Sequence, residues 1–171
     1  MEIEIKEIAV RPEFDMWQYC EISQETRIDH GLLEELEPRW KEWLSHLKAY
    51  TLENRAGEGR FVLVFLGAEV EDVIDAAWGD APSIGMALHN LAICMVMNSL
   101  QGLMPELADN RCAPIPRPGR GVIEAFARLG LTWREEGSLD RKYAVFTPYP
   151  YAGGCEICCI CETCPKRKLS D

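Results

Sequence analysis

The sequence predicts an α+β domain, a small mixed sheet packed against a long apolar helix, followed by an irregular cysteine-rich tail. Three observations predict it: an uncharged, β-branched and aromatic run at 61–66 (FVLVFL), a stretch at 81–105 without Asp, Glu, Lys or Arg, and five of eight cysteines gathered within 155–164. The chain has 171 residues, enough to bury a core without cross-links, and divides into a domain at 1–150 and a tail at 151–171. With 47% hydrophobic and 27% charged residues, the composition excludes wholesale disorder, a collagen-like repeat and a coiled coil.

The elements follow in order. Residues 2–9 alternate Glu, Ile, Glu, Ile before Lys6 and resume with Ile8 and Val10, a period near two that predicts a half-buried strand. The stretch from there to His30 carries no assignable pattern. From Asp29, a helix N-cap, Leu33, Leu36, Trp40, Trp43, Leu44 and Leu47 recur at helical spacing, with Pro38 expected to break or restart the helix. The run at 61–66 lies between Arg60 and Gly67 and reads as a strand buried on both faces. Residues 68–78 then form an amphipathic helix ending at Gly79, with Glu69, Glu71 and Asp72 complementing its dipole and disfavouring phosphate there.

The uncharged stretch at 81–105 is long enough to cross a bilayer. Its His89, Asn90, Asn98, Ser99 and Gln101 would lack partners in lipid, so it reads as a buried central helix, with Gly85, Ala87 and Ala92 allowing close packing. Residues 111–121 (RCAPIPRPGRG) form a loop, 122–129 a short helix closed by Gly130, and 131–134 and 142–146 two strands. The segment from Pro148 is irregular and enters the cysteine cluster through Gly153 and Gly154, a flexible hinge.

The net charge of −10 is unevenly placed: residues 1–80 hold 19 acidic and 8 basic residues, whereas 81–171 hold 9 and 10. Without a basic stripe the chain is a poor nucleic-acid binder. A dense cysteine cluster would close only tiny, strained disulfide loops, and the start (MEIEIKEIAV) has no leader character. Both point to a reducing, cytoplasmic setting, with neither a membrane nor a nucleic acid as partner.

Cys155, Cys158, Cys161 and Cys164 give three consecutive C-x2-C spacings, so four thiolates can turn toward one centre. Thiolates suit soft or borderline ions, which leaves an iron–sulfur cluster or Zn²⁺ as candidates, with a metal-free redox tail as the third reading. The run is similar to the bacterial ferredoxin pattern C-x2-C-x2-C-x3-C-P, except that its last gap is two residues. Four-cysteine zinc sites more often separate two C-x2-C knuckles by a dozen or more residues. Three tail cysteines with a remote Cys20, Cys94 or Cys112, or an exogenous ligand, form another arrangement. Cys159 is a spare thiol or an alternative ligand. Lys166, Arg167 and Lys168 either offset the charge of a thiolate centre or form an ordinary solvated terminus.

Arg111, Arg117 and Arg120 form a second constellation, since three guanidiniums on a Pro- and Gly-rich loop can hold a carboxylate or phosphate. The alternative is a surface connection with solvated arginines. His30 suits a cap or solvent, His46 a polar helix face, and His89 with Asn90 is the one acid/base pair in the apolar helix. No G-x-S-x-G, H-E-x-x-H or G-x-x-x-x-G-K is present, and Cys94 and Cys112 lack a basic neighbour in sequence, so no catalytic residue is assigned.

Residues 61–121 carry a suggestive order: Leu66-Gly67, then Glu69-Val70-Glu71, Gly79-Asp80, a long small-residue helix, and Pro118-Gly119. In this order the chain resembles the short stand-alone relatives of the reactivation domain of vitamin B12-dependent methionine synthase, some of which also end in a cysteine-containing tail. The resemblance implies an α+β fold that binds S-adenosylmethionine and contacts a corrinoid protein. Where that family's loop has an Arg four residues before the Gly and then a Tyr, this chain has Ile115, Gly119 and Arg120. The expected function is a small metal-binding protein with a redox or accessory role, whose partner is a redox or corrinoid protein. An S-adenosylmethionine- or cobalamin-binding accessory protein of methyl-transfer metabolism is one alternative. A non-catalytic interaction domain with a redox-sensitive tail is the other.

Overall fold

The structure, a computed structural model, describes residues 2–56, 59–109 and 111–165. It is α+β, with a four-stranded sheet and five α-helices. The strands are β1 (Ile3–Glu7), β2 (Leu47–Asn54), β3 (Arg60–Leu66) and β6 (Ala144–Pro148), in that spatial order. A separate two-stranded hairpin joins β4 (Trp133–Arg134) to β5 (Ser138–Leu139). The helices are α1 (Met16–Ser23), α2 (His30–Trp43), α3 (Ala68–Asp80), α4 (Pro82–Leu103) and α5 (Arg120–Arg128).

The sheet is antiparallel throughout and not mixed. Residues 55–59 between β2 and β3 are too few for a crossover, so the two strands can pair only antiparallel, and the Asn54 N–H donates to the Gly59 carbonyl at 3.2 Å. Elsewhere, α1 and α2 lie between β1 and β2, and α3 to α5 lie between β3 and β6, and both pairs are antiparallel.

Alternation along β3 explains the two cores. Val62, Val64 and Leu66 face a layer made of α1 to α4, where Tyr19, Trp40, Trp43, Ile74, Leu91 and Met95 are buried. Leu63 and Phe65 face the opposite way, toward Phe126 of α5 and Leu139 of the small hairpin. A strand covered on both sides reads as the continuous apolar run that the sequence carries.

Helix α4 fits the uncharged stretch and is the one helix, among the described residues, long and apolar enough to cross a membrane. Leu88, Leu91, Ala92, Cys94, Met95 and Leu100 are buried against α1, α3 and β3, so it is the core helix of this domain. Its polar groups find partners inside the protein. Asn98 Nδ2 donates to Gln18 Oε1 at 3.0 Å, Gln18 Nε2 donates to Gln101 Oε1 at 2.7 Å, and Ser99 Oγ donates to the Met95 carbonyl at 2.8 Å.

Three readings of the sequence are corrected. Helix α2 begins where expected, with Asp29 Oδ1 accepting the Leu32 N–H at 2.8 Å, but it runs through Pro38. Pro38 lies on the exposed face, where water can satisfy the carbonyl its ring leaves unbonded, while Leu36 and Trp40 anchor both sides. The unassigned stretch contains α1, capped by Asp15, whose side chain accepts from the Trp17 and Gln18 N–H groups. Residues 47–54 form a strand, the longest of the sheet, so the helical stripe ends before Leu47. Short α5 ends as expected, with Gly130 at φ +74° carrying the chain toward the hairpin.

Candidate metal centre

The tail begins as the end of the sheet. Beyond β6 the Tyr149 N–H donates to the Arg60 carbonyl at 2.9 Å, and Tyr149 and Tyr151 pack against the α1–α4 core. The chain then runs through Gly153, at φ +73°, into two 3₁₀ turns, Cys155–Ile157 and Cys161–Thr163.

The C-x2-C spacing has a backbone counterpart. The Cys158 N–H donates to the Cys155 carbonyl, the Cys161 N–H to the Cys158 carbonyl, and the Cys164 N–H to the Cys161 carbonyl, each at 3.3 Å. Three successive turns therefore repeat with the period of the cysteines. Cys155 is exposed, and Cys158, Cys159, Cys161 and Cys164 are half-buried. Among the described residues no three His, Cys, Asp or Glu side chains converge as a metal-binding group. Lys166, Arg167 and Lys168 lie outside the described residues.

The fold brings this tail onto the arginine loop. The Cys159 N–H donates to the Ile115 carbonyl at 2.8 Å, and the Ile115 N–H points back to Cys158 Sγ at 3.5 Å. The loop is itself fixed to the sheet, because Thr147 Oγ1 of β6 donates to the Pro114 carbonyl at 2.8 Å in a buried bond. On the other side, Cys159 Sγ and Ile160 press on Gly137 in the β4–β5 turn. A Cβ added to Gly137 would lie 3.0 Å from each, and its φ of +91° also favours glycine.

Cys159 lines a cleft of about 410 Å³ with Arg117, Pro118, Ile123, Trp133 and Glu136. Burial and the neighbouring Cys158 push its thiol above the ordinary value, against the pull of the Arg117 guanidinium. The three arginines are not gathered in one place. Arg117 borders this cleft, whereas Arg120 is exposed, pairs with Glu124 at 2.9 Å and lines a different cleft with Ile3 and Phe61. Arg111 is exposed on the loop.

The remaining cysteines have other surroundings. Cys94 is buried in α4, donates to Gln18 Oε1 at 3.6 Å, and its pKa is pushed up to about 12, chiefly by burial. A thiol so protonated is neither a ready nucleophile nor a ready ligand. Cys20 lies half-buried on α1, and Cys112 is exposed in the loop three residues before Ile115.

His89 and Asn90 diverge. His89 Nδ1 hydrogen-bonds the buried Tyr143 hydroxyl at 2.9 Å, while Asn90 lines a groove between α1, α2 and α4. His30 is exposed beside Glu34, and His46 lies in a 3₁₀ turn 3.7 Å from Glu69. What sequence reasoning missed here is Ile115, Gly137 and Thr147. The alternating prolines and the glycine between Glu136 and Ser138 were visible signals of a stiff strut and a tight turn, but their contact with the tail is long-range. Comparison of the chain with protein-family models, with curated proteins and with solved structures gives no match.

Proposed function

We propose that this is a small metal-binding protein in which Cys155, Cys158, Cys161 and Cys164 hold an iron–sulfur cluster or Zn²⁺, in a reducing, cytoplasmic setting. The observation that carries the reading is the run of three turns, each closed by a hydrogen bond from one cysteine's N–H to the carbonyl of the cysteine three residues before it. These turns set the four cysteines at one regular three-residue interval, and their side chains, which do not converge in the structure, are at least partly open to solvent. A soft four-thiolate set favours iron–sulfur or zinc over hard cations, and binding releases the thiol protons to solvent. With Cys155 exposed and Cys158, Cys161 and Cys164 half-buried, such a centre suits electron exchange or an accessory role with a redox protein.

Anaerobic purification followed by metal analysis and absorption spectroscopy tests this. The expected product is either brown with sulfur-to-iron charge-transfer bands or colourless with about one zinc per chain. Colourless, metal-free protein with every tail thiol open to alkylation would overturn the reading and favour a redox-sensitive tail on an interaction domain. The resemblance to reactivation-domain relatives adds a competing expectation, binding of S-adenosylmethionine or cobalamin with the 111–120 loop as its anion site, although Arg117 and Arg120 border different clefts. Saturable titration with either ligand, weakened by Arg120→Ala, would favour that class, and flat isotherms would remove it.

A further inference from the structure

Residues 114–118 read Pro-Ile-Pro-Arg-Pro, so only Ile115 and Arg117 in this strut possess a backbone N–H. Ile115 and Arg117 each precede a proline, which confines both to extended backbone and makes the strut stiff. Its Pro114 carbonyl is held by Thr147 of β6, and Pro114 and Pro118 are buried. Ile115 turns both of its main-chain polar groups toward the tail. Its carbonyl accepts the Cys159 N–H at 2.8 Å, and its N–H approaches Cys158 Sγ at 3.5 Å. Across the segment, Cys159 Sγ and Ile160 fill the space that Gly137 leaves by having no Cβ. Residues 158–160 are therefore held between a proline strut and a glycine turn, and the Sγ atoms of Cys158 and Cys159 meet different neighbours, the Ile115 N–H and Gly137.

Resting on the metal-binding reading above, we infer that Ile115 is the outer-shell positioning residue of the centre, its N–H orienting the Cys158 thiolate, and that Cys159 is the seat of the module on the core and not a ligand. An N–H directed at a ligand sulfur disperses the thiolate charge and fixes its direction, the two things an outer-shell group does for a metal. Removal of such a partner weakens metal affinity by about 10- to 100-fold.

The test uses the full chain, reduced and metal-free, titrated anaerobically with Co²⁺ and read by thiolate-to-cobalt charge-transfer absorption. Ile115→Pro deletes the N–H while keeping an extended backbone, and Ile115→Ala keeps the N–H while removing the side chain. The expected result is a loss of about 10- to 100-fold in Co²⁺ affinity for Ile115→Pro and a change within about threefold for Ile115→Ala. Cys159→Ser is expected to bind one Co²⁺ with undiminished charge-transfer intensity, a readout that stands even where Ile115→Pro fails to fold. Equal affinity for wild type and a folded Ile115→Pro, or a loss of charge-transfer intensity in Cys159→Ser, overturns this inference alone. Wild-type protein that takes up no cobalt overturns the metal-binding reading and the inference together.

Discussion

His89 shows how much one half-buried side chain can impose on the molecule. It sits on α4 with Nδ1 on the Tyr143 hydroxyl, and burial, followed by the charge of Lys142, lowers its pKa below the ordinary value. The charged groups around this contact come from two elements. Glu71 and Asp75 of α3 pair with Arg141 at 3.1 Å and Lys142 at 2.7 Å, so the carboxylates are already engaged. A histidine that is harder to protonate in the folded state leaves the unfolded chain binding more protons as pH falls. Its contribution is therefore complete above the unfolded pKa of about 6.5 and is lost as pH drops below that value toward the folded pKa. Between pH 7.5 and 5.5 the urea midpoint of the wild type should fall more than that of His89→Gln. Equal falls would remove His89 as the cause. The sequence shows His89 on an apolar helix but not its partner, because Tyr143 lies 54 residues away in the bend before β6.

At the scale of elements, packing decides what propensity leaves open. The helices α3 and α4 are separated by Ala81 alone, in extended backbone, with Pro82 at the first turn of α4. The close approach this demands falls on Gly85, where a Cβ would lie 2.8 Å from Trp78 Cγ and 3.0 Å from Trp78 Cα. Gly→Ala gains about 1 kcal/mol of helix propensity. Overpacking costs about 1 to 3 kcal/mol, and the main-chain contact puts it toward the upper end, since the indole can swing aside but Cα cannot. Gly85→Ala should lose about 1 to 2 kcal/mol on these two terms, read from urea unfolding, and a stabilised variant would refute the argument. Such small residues in an apolar run were legible in the sequence, as were β3 and the Asp29 cap. Strand β2 was not, because LKAYTLEN mixes charge with apolar residues and owes its place to pairing on both sides by β1 and β3. Eight-residue α1 was hidden by its weak amphipathicity, and it holds through Tyr19, whose hydroxyl donates to the Ala87 carbonyl at 3.1 Å.

For the whole molecule, the arrangement that matters most joins parts distant in sequence. The cysteine spacing was legible as a local pattern, but Ile115 and Cys158 are 43 residues apart, and no periodicity reports that a proline strut and a glycine turn form one seat. Both cores nevertheless close without the cysteines of the tail, since every buried side chain of the two clusters precedes residue 147 and Tyr149 and Tyr151 complete one of them from its rim. A chain cut after Ala152 keeps these tyrosines and the Tyr149–Arg60 bond, and gives up the Ile115 hydrogen bonds and the contact on Gly137. It should unfold in one cooperative transition at a cost of about 1 to 2 kcal/mol, the worth of one or two half-exposed hydrogen bonds. Three cysteines remain, and their reactivity checks the fold directly: Cys112, exposed, should react fastest with a thiol reagent, Cys20 more slowly, and buried Cys94 only after denaturant. Rapid labelling of Cys94 in buffer, or a transition broadened beyond two-state behaviour, would mean that the tail holds α4 in place and that the domain does not end before the cysteines.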